Sequence, residues 1–449
     1  MEQVRKLSSD EKPGATRDET LDLFRRIRST SLALAAPLTA EDQCIQSMPD
    51  TSPTKWHLAH TSWAFETFVL KPFDSGYAEF HPKYNYLFNS YYDSVGPRHQ
   101  RPKRGLLSRP ALEDIHAYRR HVENATEALI GGADEAAWVE IRPFMEVANN
   151  HEQQHQELML SDIKHVFSCN PLLPAYKVKK PAAVCVAVDD EVKAAQTSWI
   201  EFPEGLIDIG YDFDASLDFA YDNEGPRHKV WQDGFRIASH PVSNAEYLEF
   251  IVDGGYRRPE FWLSDGWAAC QSNGWQGPMY WQRDGEVEHD AASWRVMTLS
   301  GLRALNLAEP VCHVSCFEAD AFAKWAGKRL PREAEWERLA EGCRITGNFA
   351  DCGMYHPVSA NVCSAQVDEA VQVYGDVWEW TRSAYAPYPG YRAAAGAMGE
   401  YNGKFMSGQM VLRGGSAVTP GGHIRPTYRN FFYPDDRWQF SGIRLAEDA

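Results

Sequence analysis

The chain has 449 residues, 44% hydrophobic and 24% charged, with a net charge of −17 at pH 7. That length holds two or three domains, and an acidic balance with no long basic run argues against nucleic acid and anionic membrane as partners. Met1-Glu2-Gln3-Val4-Arg5-Lys6 lacks the apolar core of a signal peptide and no apolar run is long enough to span a membrane, while nine scattered cysteines without CxxC spacing fit a reducing cytoplasm rather than a disulfide framework.

From Thr20 to Leu34 the residues Leu21, Leu23, Phe24, Ile27 and Leu34 recur at roughly helical spacing, which predicts an amphipathic helix. A short second start at Ala40-Glu41-Asp42-Gln43 ends near Pro49. Ser52-Pro53 is a helix-start signal, and the apolar positions through Phe68 predict one long buried helix with His57 and His60 near one face. Residues 71–110 form a long loop rich in Pro, Gly, Tyr and Arg, and its aromatic content marks it as ordered and functional. Helix resumes from Leu112 to Ile130, and a last helix is predicted to open at Pro143 and run to Val166. Four substantial helices with a long crossover loop describe a helix bundle, where metal sites are built from inward-facing side chains. Residues 171–196 read as a linker beginning at Pro171-Leu172-Leu173-Pro174. Beyond it come short strand-like runs such as 205–210 and 235–237, with helices expected over Asn244–Val252 behind the cap Ser243, over Cys316–Ala326 and over Pro331–Leu339. The fold class is therefore α plus α+β, with a helical domain over 17–170 and an irregular α+β domain over 197–449.

The chemistry concentrates in Asn149-Asn150-His151-Glu152-Gln153-Gln154-His155-Gln156-Glu157-Leu158. Residues four apart on a helix point the same way, so His151 and His155 offer two imidazoles from one face. Alone, His-Glu-x-x-His reads as a zinc-protease signature with Glu152 as general base; the plainest alternative is a solvated helix face. The extended form of that signature fails, because Leu158 and Ser161 stand where Gly and His are needed. Upstream, His60 lies among Trp56, Trp63 and Phe65 and would complete a three-histidine site, with His57 competing for that place. Three neutral nitrogens leave open positions suited to substrate and O2 on Fe(II), and they describe catalytic zinc equally well. Tyr91-Tyr92, on the loop that leaves the His60 helix, could supply a phenol to oxygen chemistry. Arg98, Arg101, Lys103 and Arg104 could clamp a substrate carboxylate, a task that suits the planar guanidinium fork.

Together these motifs carry a family resemblance. Trp56-His57-Leu58-Ala59-His60-Thr61-Ser62-Trp63-Ala64-Phe65-Glu66, with His151-Glu152-Gln153-Gln154-His155-Gln156-Glu157, resembles the DinB-like N-terminal domain of the ergothioneine sulfoxide synthases (EgtB). The second half resembles their formylglycine-generating-enzyme-type domain, a C-type-lectin-like fold. The matching blocks include Pro241-Val242-Ser243-Asn244-Ala245-Glu246-Tyr247, Arg329-Leu330-Pro331-Arg332-Glu333-Ala334-Glu335-Trp336-Glu337, Gly375-Asp376-Val377-Trp378-Glu379-Trp380-Thr381 and Arg429-Asn430-Phe431-Phe432-Tyr433. The resemblance covers nearly the whole chain. It implies a DinB-like four-helix bundle followed by the lectin-like domain, with non-haem Fe(II) on His60, His151 and His155. The implied reaction joins the imidazole C2 of hercynine (N-α-trimethylhistidine) to a thiol with O2, giving a sulfoxide. It makes Tyr91 or Tyr92 the candidate donor of a proton and an electron. Gln154 and Asn430 match positions that contact hercynine, and Arg101 and Arg104 are the candidates for the thiol substrate's carboxylate. A structural Ca²⁺ near Asp376 and Glu379 is a further expectation drawn from related lectin-like domains.

One departure is informative. Some members carry Trp-Asp after the Asn, and that Asp helps to hold γ-glutamylcysteine; here Phe431-Phe432 stands instead. Losing the carboxylate removes a partner for a bulky polar donor, which predicts free cysteine as co-substrate. Three rival readings stand beside this one. An ovothiol-type synthase, which joins cysteine to histidine at C5, usually carries an added methyltransferase domain that this sequence does not show. A formylglycine-generating enzyme needs a reactive cysteine pair near its C-terminus, whereas the last cysteine here is Cys363. The third is a metal-stabilised ligand-binding protein or zinc hydrolase. Oligomeric state is not legible in the sequence.

Overall fold

The computed structural model describes residues 16–177, 197–216, 218–283, 293–360 and 370–449. Most of the expected linker (178–196) and Cys363 lie outside them. The chain divides into two compact units, and the division is not a single cut. Residues 213–222 and 392–404, from the second half of the sequence, belong to the first unit along with everything up to Cys169.

Among the described residues the first unit is built on six α-helices: α1 (Arg17–Ala35), α2 (Thr54–Phe65), α3 (Lys71–Phe73), α4 (Tyr84–Phe88), α5 (Leu112–Gly132) and α6 (Glu135–Ser168). The four long ones form a bundle in which α1 packs on α6 while α2 packs on both α5 and α6. α1 starts three residues before the expected Thr20 because Thr16 and Glu19 form a reciprocal capping box. Its buried stripe of Phe24, Ile27, Ser31 and Leu34 faces the bundle.

Every residue of α2 is buried, so each of its polar side chains needs a partner. Lys55 places its ammonium on the carbonyls of Leu107 (2.9 Å) and Pro110 (3.1 Å). Trp56 Nε1 donates to the Leu87 carbonyl at 3.0 Å and Trp63 Nε1 to Asn85 Oδ1 at 2.8 Å. These bonds anchor the segment 71–110, which holds α3, α4 and a 3₁₀ turn over Arg101–Leu106 and is ordered as its aromatic content foretold.

α6 corrects the expectation of a start at Pro143. It opens at Glu135, where the side chain of Asp134 accepts from Ala137 N, and Pro143 lies inside it. A proline two turns into a helix removes its own N–H donor and crowds the carbonyl four residues back, and a helix of 34 residues packed on two neighbours tolerates both.

The second unit is β-rich. A four-stranded sheet runs in the order 430–432, 410–413, 378–384, 441–442, with Asn430 opposite Leu412 in an antiparallel pair and Ser441 parallel to Trp378. Smaller sheets join 199–202, 235–238 and 446–448, then 205–209 with 228–232, then 281–283, 294–298 and 301–304. Helices Asn244–Val252, Cys316–Trp325 and Glu333–Glu341 fall where the sequence placed them, the first behind a capping box of Ser243 and Glu246. The two carboxylates of the Ca²⁺ expectation are engaged by protein groups. Glu379 takes a bidentate pair from Arg444 and a 2.6 Å bond from Trp336 Nε1, and Asp376 accepts from Asn348 Nδ2, Gln372 Nε2 and Val358 N. Protein donors thus already occupy both carboxylates. The seven cysteines among the described residues are free thiols, and no described helix is long and apolar enough to cross a membrane.

Candidate metal centre and active site

α2 and α6 bring three imidazoles together. One nitrogen from each of His60, His151 and His155 lies within 4.8 Å of the others, and all three residues are buried. His60 is held from both sides. Its ring stacks between Trp56 (4.6 Å, 12°) and Trp63 (5.3 Å, 16°), and its Nδ1 donates to the Phe88 carbonyl at 2.6 Å. A carbonyl can only accept, so Nδ1 carries the proton and Nε2 is a bare lone pair, 3.2 Å from His151 Nε2. Burial pulls the His151 imidazole down to about 4, and burial with the mutual proximity of the rings pulls His60 and His155 well below their ordinary value. The three rings are therefore neutral near pH 7, the protonation state a metal ligand requires. The donor set fits a divalent metal and does not single one out.

His57, the competing third ligand, stands behind the triad. Its Nδ1 meets His155 Nδ1 at 2.8 Å and its Nε2 meets Asp162 Oδ2 at 3.0 Å. Glu152, the general base of the zinc-protease reading, turns away from the triad. Arg28 (2.9 Å) and Arg119 (3.0 Å) take its two oxygens, and Ser31 donates to it at 2.6 Å. Burial alone would raise this carboxyl; the two guanidinium groups win and hold it near about 2. A carboxylate so clamped is a poor base.

The tyrosine pair lies in the same unit. The Tyr91 and Tyr92 rings stack at 4.5 Å with their hydroxyls 3.4 Å apart, and Tyr92 packs on Trp63 and Phe68. Burial raises both phenols above their ordinary range. The sequence reading missed Tyr401, which arrives on the inserted segment 392–404. Its ring meets His151 edge-on at 5.7 Å and stacks on Tyr221 at 5.4 Å, while its hydroxyl donates to Gln154 Oε1. Tyr92, His151 and Tyr401 line one cavity together with apolar Phe68, Phe144 and Met398.

The arginines separate. Arg104 is buried with its guanidinium 3.4 Å over the Trp56 ring and bonded to the Ser52 and Ser90 hydroxyls; none of these partners is a carboxylate. Burial and nearby Arg101 pull its pKa well down, against the opposing pull of the Asp162 carboxylate. Arg101 is exposed and bonds the Asp50 carbonyl. Asn430, Phe431 and Phe432 lie in the second unit. There Phe431 stacks on Tyr385 at 4.0 Å, Phe432 meets Trp438 edge-on, and the Asn430 side chain accepts from Phe431 N.

Comparison with known proteins matches residues 23–159 to the DinB superfamily, and residues 187–370 and 369–449 to the sulfatase-modifying factor enzyme 1-like domain. The chain is 34% identical to a hercynine oxygenase of Mycolicibacterium thermoresistibile, over 89% of this chain and 88% of that one. It is 33% identical to a hercynine oxygenase of Mycobacterium tuberculosis, over 94% and 97%. A formylglycine-generating enzyme of Mus musculus is 26% identical and spans only 57% of this chain, with 76% of its own length covered. Relatives with both halves, and not the second alone, match the chain throughout: it is an enzyme of the hercynine oxygenase family.

Proposed function

We propose that the chain joins the imidazole C2 of hercynine to the sulfur of cysteine using O2, as a step of ergothioneine biosynthesis, at an Fe(II) held by His60, His151 and His155. The stoichiometry balances when the imidazole C2–H and the thiol S–H are both lost, one oxygen of O2 ends on sulfur as the sulfoxide, and the other leaves as water. The observation that carries the reading is the buried triad of neutral imidazoles in a chain of this family. Fe(II), when bound, supplies a Lewis acid for the thiolate and a centre at which O2 is reduced.

The remaining work falls to side chains. Arg104 receives the carboxylate of the thiol substrate, because it is a buried cation whose own partners are two hydroxyls and a ring. Arg101 is a second, exposed cation three residues away. Gln154, oriented by the Tyr401 hydroxyl, binds hercynine. Tyr92 holds the proton to be delivered, with the Tyr91 hydroxyl behind it at 3.4 Å; a phenol kept protonated by burial suits that role. Phe68, Phe144 and Met398 keep water from the cavity that Tyr92 and His151 share. Phe431 and Phe432 offer no carboxylate to a γ-glutamyl group, so free cysteine is the co-substrate.

The test is anaerobic reconstitution with Fe(II), addition of hercynine and cysteine, admission of O2, and mass analysis for the sulfoxide. Tight retention of zinc with no O2 consumption would return the hydrolase reading to the front.

A further inference from the structure

His57 and Asp162 are buried polar groups that the reaction above does not use, and they stand in line with a ligand. Asp162 lies on α6, seven residues after His155, and Oδ2 accepts from Ser52 N at 2.7 Å and from His57 Nε2 at 3.0 Å. His57, Asp162 and His155 are all buried. A carboxylate only accepts, so the proton in the first contact sits on His57 Nε2. With its proton on Nε2, the His57 ring can accept at Nδ1, and the 2.8 Å contact with His155 Nδ1 then closes when His155 donates. His155 is left with a bare Nε2. Phe88 imposes the same tautomer on His60 through its carbonyl, so the two ligands reach one state through different devices.

We propose that Asp162 and His57 form a two-step hydrogen-bond relay that fixes the tautomer and ring orientation of His155, and so determines how tightly the triad takes a metal. They are positioning residues, not ligands. Protein groups behind a metal-ligating imidazole commonly change affinity by about 10–100-fold when lost; here a second imidazole is interposed between the carboxylate and the ligand. The inference rests on the metal-centre reading proposed above.

The test uses the full chain and Fe(II) alone, titrated anaerobically against a competing chelator. His57→Phe and Asp162→Ala are expected to weaken Fe(II) binding by about 10–100-fold. Asp162→Asn should recover most of it, because the Ser52 and His57 donors converge on one oxygen and an amide oxygen can take that place. Histidine-selective ¹⁵N labelling of the metal-free protein supplies a readout that a merely structural role would not move. His155 should be protonated at Nδ1 in the wild type and in Asp162→Asn, and should lose that preference in His57→Phe. Affinity of folded His57→Phe within about twofold of wild type, or a wild-type His155 protonated at Nε2, would overturn the relay. If His57→Phe and Asp162→Ala do not fold, the wild-type tautomer and Asp162→Asn still decide. His155→Ala separates the two readings. Full Fe(II) affinity in that variant sinks the metal centre itself, whereas loss in His155→Ala but not in His57→Phe sinks only the relay.

Discussion

Glu152→Gln tests the assignment of the motif glutamate to the bundle instead of to chemistry. Glu152 is fully buried, with a 2.9 Å pair to Arg28 and a 3.0 Å pair to Arg119. Glutamine keeps the shape but turns an NH2 toward one guanidinium and leaves two buried cations with less compensation, Glu123 alone facing both. Folding holds the carboxyl down from 4.5 to about 2, and at about 1.4 kcal/mol per pKa unit this corresponds to about 3 kcal/mol of stability. Removing one partner of a buried pair typically costs about 3–5 kcal/mol, which agrees. The sign follows from the depressed pKa. The contribution is complete above the unfolded value near 4.5 and is lost as pH falls through about 2. Urea unfolding followed by far-ultraviolet circular dichroism should therefore show a deficit of about 3 kcal/mol near neutral pH that shrinks steadily in acid. A deficit below about 1 kcal/mol, or one independent of pH, would refute the argument.

Three further outcomes concern the proposed reaction. Arg104→Met should raise KM for the thiol at least about tenfold, the loss of a charged hydrogen bond, and leave Fe(II) affinity unchanged; steady-state kinetics with each substrate varied would check it. Tyr401→Phe removes the donor to Gln154 and should raise KM for hercynine, while Tyr92→Phe should lower kcat; the opposite split would exchange their roles. Cysteine should turn over faster than γ-glutamylcysteine in a direct comparison, and a clear preference for the dipeptide would defeat the reading of Phe431-Phe432.

What was legible in the sequence follows from the range of each signal. Helical periodicity and caps are local, so α1, α5 and the helix behind Ser243 were readable to within a turn. The i, i+4 histidines were readable for the same reason. His60 was legible because an imidazole among tryptophans needs a partner, although only the structure shows the rings that clamp it. The start of α6 was misread because Pro143 is a strong local signal for a first turn, and tertiary packing overrode it. Tyr401 was invisible, because its partner Gln154 is 247 residues away and no pattern announces which loop returns to the bundle. The partners of Glu379 and Asp376 were out of range likewise: Glu379 is paired with Arg444, 65 residues on, and Asp376 with Asn348, 28 residues back.

α6 also explains why a protease-like motif carries no protease base. Successive residues on a helix are turned by about 100°, so His151, His155 and Asp162 at i, i+4 and i+11 share one stripe. That stripe holds two imidazoles of the triad and the carboxylate behind His57. Glu152 and Gln156 lie about 100–140° round from His151, and both reach α1: Glu152 to Arg28 and Ser31, Gln156 to the Ile27 carbonyl and Ser31. Gln154 lies about 60° the other way and meets Tyr401. A glutamate one residue after a ligand becomes a base only where the neighbouring element leaves it facing the metal. Here α1 and α5 bring Arg28 and Arg119 to it first, so the same five-residue word serves a different site.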